Sequence, residues 1–140
     1  MATRIDYSQP QQGLLGGARN QKVYGRRVNL AAADLATGAV VAAFRVPAGF
    51  TVTGIIAVAS DMDTNGSPTL ALSVGDAASG TRYLSSSTIG QAGTTTQTLA
   101  STGLLFAYTA DTDILVTATT GSATAAAGTL DLYLTGFVGG

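Results

Sequence analysis

The feature that most constrains the fold is a series of short apolar or β-branched segments separated by clusters of Gly, Pro, Asp, Asn and Ser. Short strands divided by such turn signals are typical of an all-β domain. The last segment alternates cleanly, with Leu130, Leu132 and Leu134 on one face of a strand and polar residues between them. We predict strands over residues 27–33, 39–46, 51–60, 69–74, 81–84, 104–108, 113–119 and 129–138.

Eight strands with little helix favour two packed sheets around one core. A jelly roll has eight strands in two sheets, whereas the Cys and Trp hallmarks of immunoglobulin domains are absent from this chain. We therefore predict an all-β, two-sheet β-sandwich that is jelly-roll-like. A short helical turn within residues 31–36 is an alternative for that stretch.

The first residues of the chain differ in character from the rest. They contain Pro10, Gly13, Gly16 and Gly17 and show no sustained periodicity. Such a segment cannot bury enough apolar surface to order by itself, but it can order on a partner. We predict an extended N-terminal arm over residues 1–25 and a β-sandwich domain over residues 26–140.

Charge is distributed unevenly along the chain. Residues 1–45 hold six basic and two acidic residues, and residues 46–140 hold one basic and six acidic residues. The basic end can bind an acidic surface; alternatively, its charges only keep a polar tail solvated. Nucleic acid is the less favoured partner, because a single-strand binder needs several stacking aromatics. The candidate docking residues are Arg19, Lys22, Tyr24, Arg26 and Arg27.

The composition also indicates how the chain meets its surroundings. Charged residues make up 11% of the sequence, against about 25% in an average protein. Large, weakly charged surfaces tend to be covered by partners. No apolar run approaches the roughly 18 residues needed to span a bilayer, and the lack of cysteine fits synthesis in a reducing cytoplasm.

The residue types that most enzymes use are missing. The chain has no His, no Cys and no Glu, which removes the commonest general base, the thiolate nucleophile and the usual zinc ligands. A Ser–Lys pair has only Lys22 available. Two aspartates are able in principle to hydrolyse a glycoside, but nothing in the sequence brings two of them together. We predict a protein that is not an enzyme and needs no cofactor.

One motif resembles part of a calcium loop. Asp61, Asp63, Asn65 and Gly66 match the first half of the pattern D-x-[DN]-x-[DN]-G. The bidentate Glu expected at the twelfth position is replaced by Leu72. Asp, Asn and Gly also favour simple turns. A turn is therefore the favoured interpretation, and a cation site at Asp61, Asp63 and Asn65 is the weaker one.

Five aromatic residues in predicted strands offer two interpretations. They form either a platform on which sugars stack or ordinary core packing with phenol groups at the rim. The strand spacing favours core packing. The five are Tyr83, Phe106, Tyr108, Tyr133 and Phe137.

Several short stretches carry a resemblance to a known class of proteins. They are Val46-Pro47-Ala48-Gly49-Phe50-Thr51-Val52, Leu72-Ser73-Val74-Gly75-Asp76, Arg82-Tyr83-Leu84, Tyr108 to Ile114 and Gly128-Thr129-Leu130. Their order resembles small virion proteins of tailed bacteriophages, namely capsid decoration (cement) proteins and head-fibre bases. The resemblance covers residues 40–138, and the arm has no counterpart in it.

This resemblance implies a structural role on the outside of an assembled capsid. A member of the class would be made in the host cytoplasm, bind the major capsid protein and tie neighbouring capsomers together, usually as a homotrimer. Such work needs buried area rather than catalysis. Two other functions remain open: a receptor- or glycan-binding module using loops 85–98 and 121–128, and a ring-forming connector or tail-tube subunit.

Overall fold

The computed structural model describes residues 21–139 and shows two four-stranded antiparallel sheets with two short 3₁₀ turns. The 3₁₀ turns span Ala32–Leu35 and Ile89–Gln91. None of the helices in the described part of the chain is long and apolar enough to cross a membrane. The strands are β1 (Gln21–Leu30), β2 (Val40–Val46), β3 (Phe50–Ala59), β4 (Ala71–Gly75), β5 (Leu84–Ser87), β6 (Thr95–Thr96), β7 (Thr112–Thr120) and β8 (Gly128–Val138).

The strand order confirms the jelly-roll prediction. The first sheet runs β1-β8-β3-β6 and the second runs β2-β7-β4-β5. Strands that are consecutive in sequence occupy the same place in the order of the two sheets: β1 and β2, β8 and β7, β3 and β4, and β6 and β5. The chain is therefore an antiparallel ribbon wound across two sheets, which is the double Greek key of a jelly roll.

The core lies between the two sheets and follows the alternation of the strands. Leu130, Leu132 and Leu134 of β8 face Ile114 and Val116 of β7, and all five side chains are buried. The alternation predicted for the last strand is thus confirmed. Pro47 to Gly49 makes the turn between β2 and β3, where Gly49 has a φ of +88° that glycine adopts without strain.

Strand β1 begins earlier than the sequence predicts. It starts at Gln21 rather than Arg27, so residues 21–25 of the predicted arm pair with β8 in the sheet. Its periodicity was hidden because β1 is an edge strand with most side chains exposed. The remaining arm residues, 1–20, lie outside the described residues.

Two other predicted strands are wrong in detail. Instead of residues 81–84, β5 covers Leu84–Ser87, because Arg82 and Tyr83 close a turn. Residues 104–108 form no regular strand. They follow β3 irregularly through hydrogen bonds such as Leu105 N–H to Val52 O (2.7 Å) and Tyr108 N–H to Phe50 O (3.0 Å). The regular ladder is interrupted because Leu105 has a φ of +59°.

Candidate assembly interface

One end of the sandwich gathers most of the unusual surface features. The register pairs Gln21 with Phe137 and Phe50 with Val138, so the start of β1 and the end of β8 lie together. The loops 47–49, 76–83 and 97–111 meet at the same end because each connects strands that start or finish there. We call this the arm end, since the chain enters the sandwich here.

The structure separates the predicted docking residues into three groups. Arg19 lies outside the described residues. Lys22 and Arg26 are exposed on the edge strand β1. Tyr24 and Arg27 instead contact the sandwich itself: the Tyr24 ring packs edge-on against Phe50, with ring centroids 4.9 Å apart.

Arg27 forms an ion pair across the first sheet. Its Nε and Nη2 donate to the two carboxylate oxygens of Asp131 at 2.7 and 3.0 Å. The hydrogen bonds and the opposite charge raise the pKa of Arg27 and lower that of Asp131. Because this charge is already paired, Arg27 is less suited than Lys22 or Arg26 to attract an acidic partner.

The outward side of the first sheet carries a group of apolar side chains. Val23, Ile56 and Val58 are exposed, and Tyr133 lies between β1 and β3 in the register opposite Gly25 and Ile56. We call these four residues, Val23, Ile56, Val58 and Tyr133, the outer face. Ile56 and Val58 face outward because the irregularity in β3 between Val52 and Gly54 changes the phase of the strand.

The loop 97–111 carries a second exposed apolar feature. Leu104 and Leu105 are 56% and 61% exposed, the latter the highest value among the large hydrophobic side chains of the described residues. Leu105 adopts the left-handed conformation, which non-glycine residues rarely occupy. We call this pair the leucine knob.

A buried polar cluster supports the loops of the arm end. The Asp76 carboxylate accepts hydrogen bonds from Arg82 Nε (2.7 Å), from the Tyr108 hydroxyl (2.7 Å) and from the backbone N–H groups of Ala78 and Ser79. Since the Tyr108 proton is used on Asp76, the Tyr83 hydroxyl is the donor in the bond between the two phenols. These bonds fix the loop 76–83 to the loop 97–111.

The ionisation of the cluster follows from its burial and its bonds. Burial raises the pKa of Tyr83 to about 12 and raises that of Tyr108 as well. Burial also disfavours the Asp76 carboxylate, but hydrogen bonds from Arg82 and Tyr108 outweigh this effect and lower its pKa. Near neutral pH the cluster therefore holds one paired positive and one paired negative charge.

Most of the aromatic residues proposed for sugar stacking are not accessible to a sugar. Tyr83 and Tyr108 are buried, with 0% and 7% of their surface exposed, as the core-packing interpretation predicts. The Phe106 ring is covered by the Arg82 guanidinium, whose carbon lies 3.6 Å from the ring centroid. Tyr133 and Phe137 remain half-buried on the outward side of the first sheet.

A shallow pocket of about 250 Å³ lies beside this cluster. It is lined by both apolar and polar residues, namely Asp76, Ala77, Ala78, Arg82, Phe106, Tyr108 and Thr112. No buried side-chain nitrogen or oxygen in residues 21–139 lacks a hydrogen-bond partner. The polar groups beside the pocket are thus satisfied within the chain, and the pocket does not require a charged ligand.

The loop 61–66, which resembles part of a calcium site, joins two other chain segments at the end of the sandwich opposite the arm end. Asp63 is 1% exposed, and its carboxylate accepts backbone N–H groups of Thr69, Leu70, Ala123 and Thr124 at 2.8 to 3.1 Å. Burial opposes its charge, but these four bonds outweigh burial and lower the pKa of Asp63. Asp61 and Asn65 accept N–H groups within the same loop. This geometry favours the turn interpretation, and no cluster of three metal-ligating side chains occurs in the described residues.

Comparisons with solved structures find two similar chains. One belongs to the capsid asymmetric unit of cyanophage Pam1, with 33% sequence identity and a TM-score of 0.79, covering 96% of this chain and 98% of that one. Another belongs to the capsid of Ralstonia phage GP4, with 23% identity and a TM-score of 0.75, covering 93% and 91% respectively. Neither the protein-family models nor the curated proteins include a match.

Sequence reasoning missed the leucine knob, the outer face and the polar cluster. The pair Leu104-Leu105 begins the predicted strand 104–108, although two adjacent leucines cannot both face a core from one strand. The Asp76–Arg82 spacing of six residues across a Gly- and Ser-containing turn was a usable signal for the ion pair. The phase change in β3 had Gly54 as its only sequence mark.

Proposed function

Because the chain belongs to the same family as a chain of the cyanophage Pam1 capsid and is a capsid-associated phage structural protein, we propose that it is a decoration protein. In this role it binds the outer surface of the assembled capsid, contacts the major capsid protein and bridges neighbouring capsomers as a homotrimer. The observation that carries the proposal is the match to a capsid chain over nearly the full length of both chains. The match therefore includes the whole β-sandwich of this chain.

The surface of the sandwich supports a role based on contact. The outer face places three exposed aliphatic side chains around Tyr133, and the Arg27–Asp131 pair on the same sheet is neutral as a unit. Aromatic and aliphatic side chains are the usual centre of a protein interface, with charged groups at its rim. A missing set of catalytic residues fits the same role, and we propose that the protein is not an enzyme.

The arm supplies the second part of the proposal. Residues 1–20 precede β1, which starts at the arm end, and together with β1 they contain most of the basic residues. A segment that orders on its partner adds contact area at a cost in ordering, and its positive charge speeds encounter with an acidic capsid surface. We propose that Arg19, Lys22 and Arg26 provide this charge.

Binding to capsids is measured by co-sedimentation. Capsids from a phage with the gene deleted are mixed with the purified protein in a density gradient, beside an equal mass of unassembled capsid protein. We expect saturable binding to assembled capsids and little binding to the unassembled protein. Equal binding to both, or none to capsids, would contradict the proposal.

The contribution of the basic residues on β1, which follows the arm, is measured with a matched pair of variants. Arg26→Gln removes an exposed charge on β1, and Arg45→Gln removes an exposed charge on β2, where Arg45 pairs with Asp113. We expect Arg26→Gln to weaken capsid binding severalfold at low salt and Arg45→Gln to leave it unchanged. An equal effect of the two variants would show that only net charge matters.

A further inference from the structure

The leucine knob is a feature that the isolated sandwich does not explain. Leu104 and Leu105 expose more than half of their surface, which forgoes the free energy that burial of leucine provides. Leu105 also holds a left-handed backbone, which is strained for a residue other than glycine. Leu105 thus combines an exposed apolar side chain with an unfavourable backbone conformation, and this combination indicates a contact with another molecule.

The pocket beside the polar cluster has the volume and the apolar lining to receive an aliphatic side chain. Its volume of about 250 Å³ exceeds the roughly 150 Å³ that holds a benzene molecule in an engineered cavity. Ala77, Ala78 and Phe106 present apolar walls. Arg82 is neutralised by Asp76 and stacked on Phe106, so the pocket attracts neither an anion nor a cation strongly. An aliphatic side chain suits it best.

Knob and pocket occur on the same end of every copy of the chain. The loop 97–111 carries the knob and also supplies Phe106 to the pocket. One protruding and one receiving feature per copy allow a closed ring in which each copy fills the pocket of the next. A ring of this kind leaves no knob exposed, which removes the cost of the exposed leucines.

We propose that the leucine knob of one copy inserts into the Ala78–Phe106 pocket of a second copy, and that this contact holds the oligomer together. This inference rests on the homotrimer of the proposed function and names its interface. The occupant of the pocket is a second copy of this chain rather than the capsid protein, because the complementary apolar feature is present in the chain itself.

The contact is tested by mixed cross-linking. The chain contains no cysteine, so Leu104→Cys and Ala78→Cys each introduce a single thiol. One of the two variants carries a mass tag, and the two are mixed and oxidised. We expect a disulfide-linked pair of intermediate mass, which forms only when the knob thiol of one variant bonds to the pocket thiol of the other. Like-with-like pairs alone, or no cross-linked pair, would overturn the inference.

The energetic role of the knob is tested by solution mass. Leu104→Ser combined with Leu105→Asn removes the apolar surface, and Asn tolerates positive φ. Val40→Ser is the matched control, because Val40 is 54% exposed on the second sheet. We expect a wild-type mass near three times 13.9 kDa, the same mass for the control, and a monomer that still unfolds cooperatively, at a lower melting temperature, for the knob variant.

Two outcomes separate this inference from the decoration role. If the knob variant remains a trimer but loses capsid binding, the knob contacts the capsid and the inference is wrong. If the cross-link forms but the wild-type protein does not bind capsids, the interface between copies stands and the decoration role fails. A wild-type monomer with no cross-link overturns the inference.

Discussion

At the scale of single residues, Asp63 shows how a motif for one purpose can serve another. Its carboxylate joins the loop after β3 to the loop before β8 by accepting backbone N–H groups from both. A carboxylate used in this way has few lone pairs left for a cation. The Asp-x-Asp-x-Asn-Gly pattern is therefore explained by turn geometry and by the joining of two loops.

Replacement of Asp63 tests this role. Asp63→Asn puts an amide N–H₂ where backbone N–H groups need an acceptor, so we expect a marked fall in the melting temperature. Asp61→Asn keeps the oxygen that accepts the Asp63 N–H and should change little. Melting is followed by circular dichroism with and without millimolar calcium. Equal effects of the two variants, or stabilisation of the wild type alone by calcium, would contradict this role of Asp63.

The buried phenols offer a second test at this scale. Tyr108→Phe removes a donor to Asp76 and leaves the Tyr83 hydroxyl without its acceptor. We expect a loss of about 1–3 kcal/mol in the free energy of unfolding, measured by urea denaturation. Tyr133→Phe is the control, because the half-buried Tyr133 hydroxyl makes no hydrogen bond within residues 21–139, and its loss should be near zero. A small loss in Tyr108→Phe would show that water replaces the bond.

At the scale of strands, β3 determines which apolar residues form the core and which form a surface. Val52 and Ile55 both face inward although they are three residues apart, because the irregularity between Val52 and Gly54 absorbs one residue. Ile56 and Val58 consequently face outward. This strand has apolar residues on both faces and thus contributes to the core and to the outer face.

Adjacent isoleucines provide a direct test of this assignment. Ile55 is 2% exposed and Ile56 is 40% exposed. We expect Ile55→Ala to lower the free energy of unfolding by about 2–5 kcal/mol, and Ile56→Ala to change it by no more than about 0.5 kcal/mol. Urea denaturation measures both. Similar losses for the two would mean that the strand has the other phase.

The sequence predicted the strands that have regular alternation and missed the features that depend on tertiary contacts. Strand β8 and the turn at Pro47–Gly49 follow from local patterns, and so does the jelly-roll class from the number of strands. The start of β1 did not, because an edge strand needs no apolar face. The pocket, the polar cluster and the knob depend on loops that meet only in the folded chain, so local periodicity cannot predict them.

At the scale of the whole molecule, the pH dependence of stability follows from which groups titrate. Asp63 and Asp76 have pKa values below the ordinary 3.8 in the folded chain, so their contribution is present above that pH and is lost as the pH falls below it. Tyr83 has its pKa raised from 10.0 to about 12. Its contribution is present below pH 10 and is lost as the pH rises towards 12.

We therefore expect a flat stability profile across neutral pH. The chain has no histidine or cysteine to titrate there. Urea midpoints measured from acid to alkaline pH should form a plateau, with falls below about pH 3.8 and above about pH 10. A step in stability between about pH 5 and 8 would contradict this account.

For the capsid as a whole, the proposed decoration role means that the protein stabilises the assembled shell. A ligand that binds only the assembled state raises its stability by mass action. The most direct measurement is the temperature at which capsids with the gene deleted release their DNA, followed by a fluorescent DNA dye as purified protein is added. The account predicts a rise that saturates together with binding. Capsids that bind the protein fully but release DNA at an unchanged temperature would contradict it.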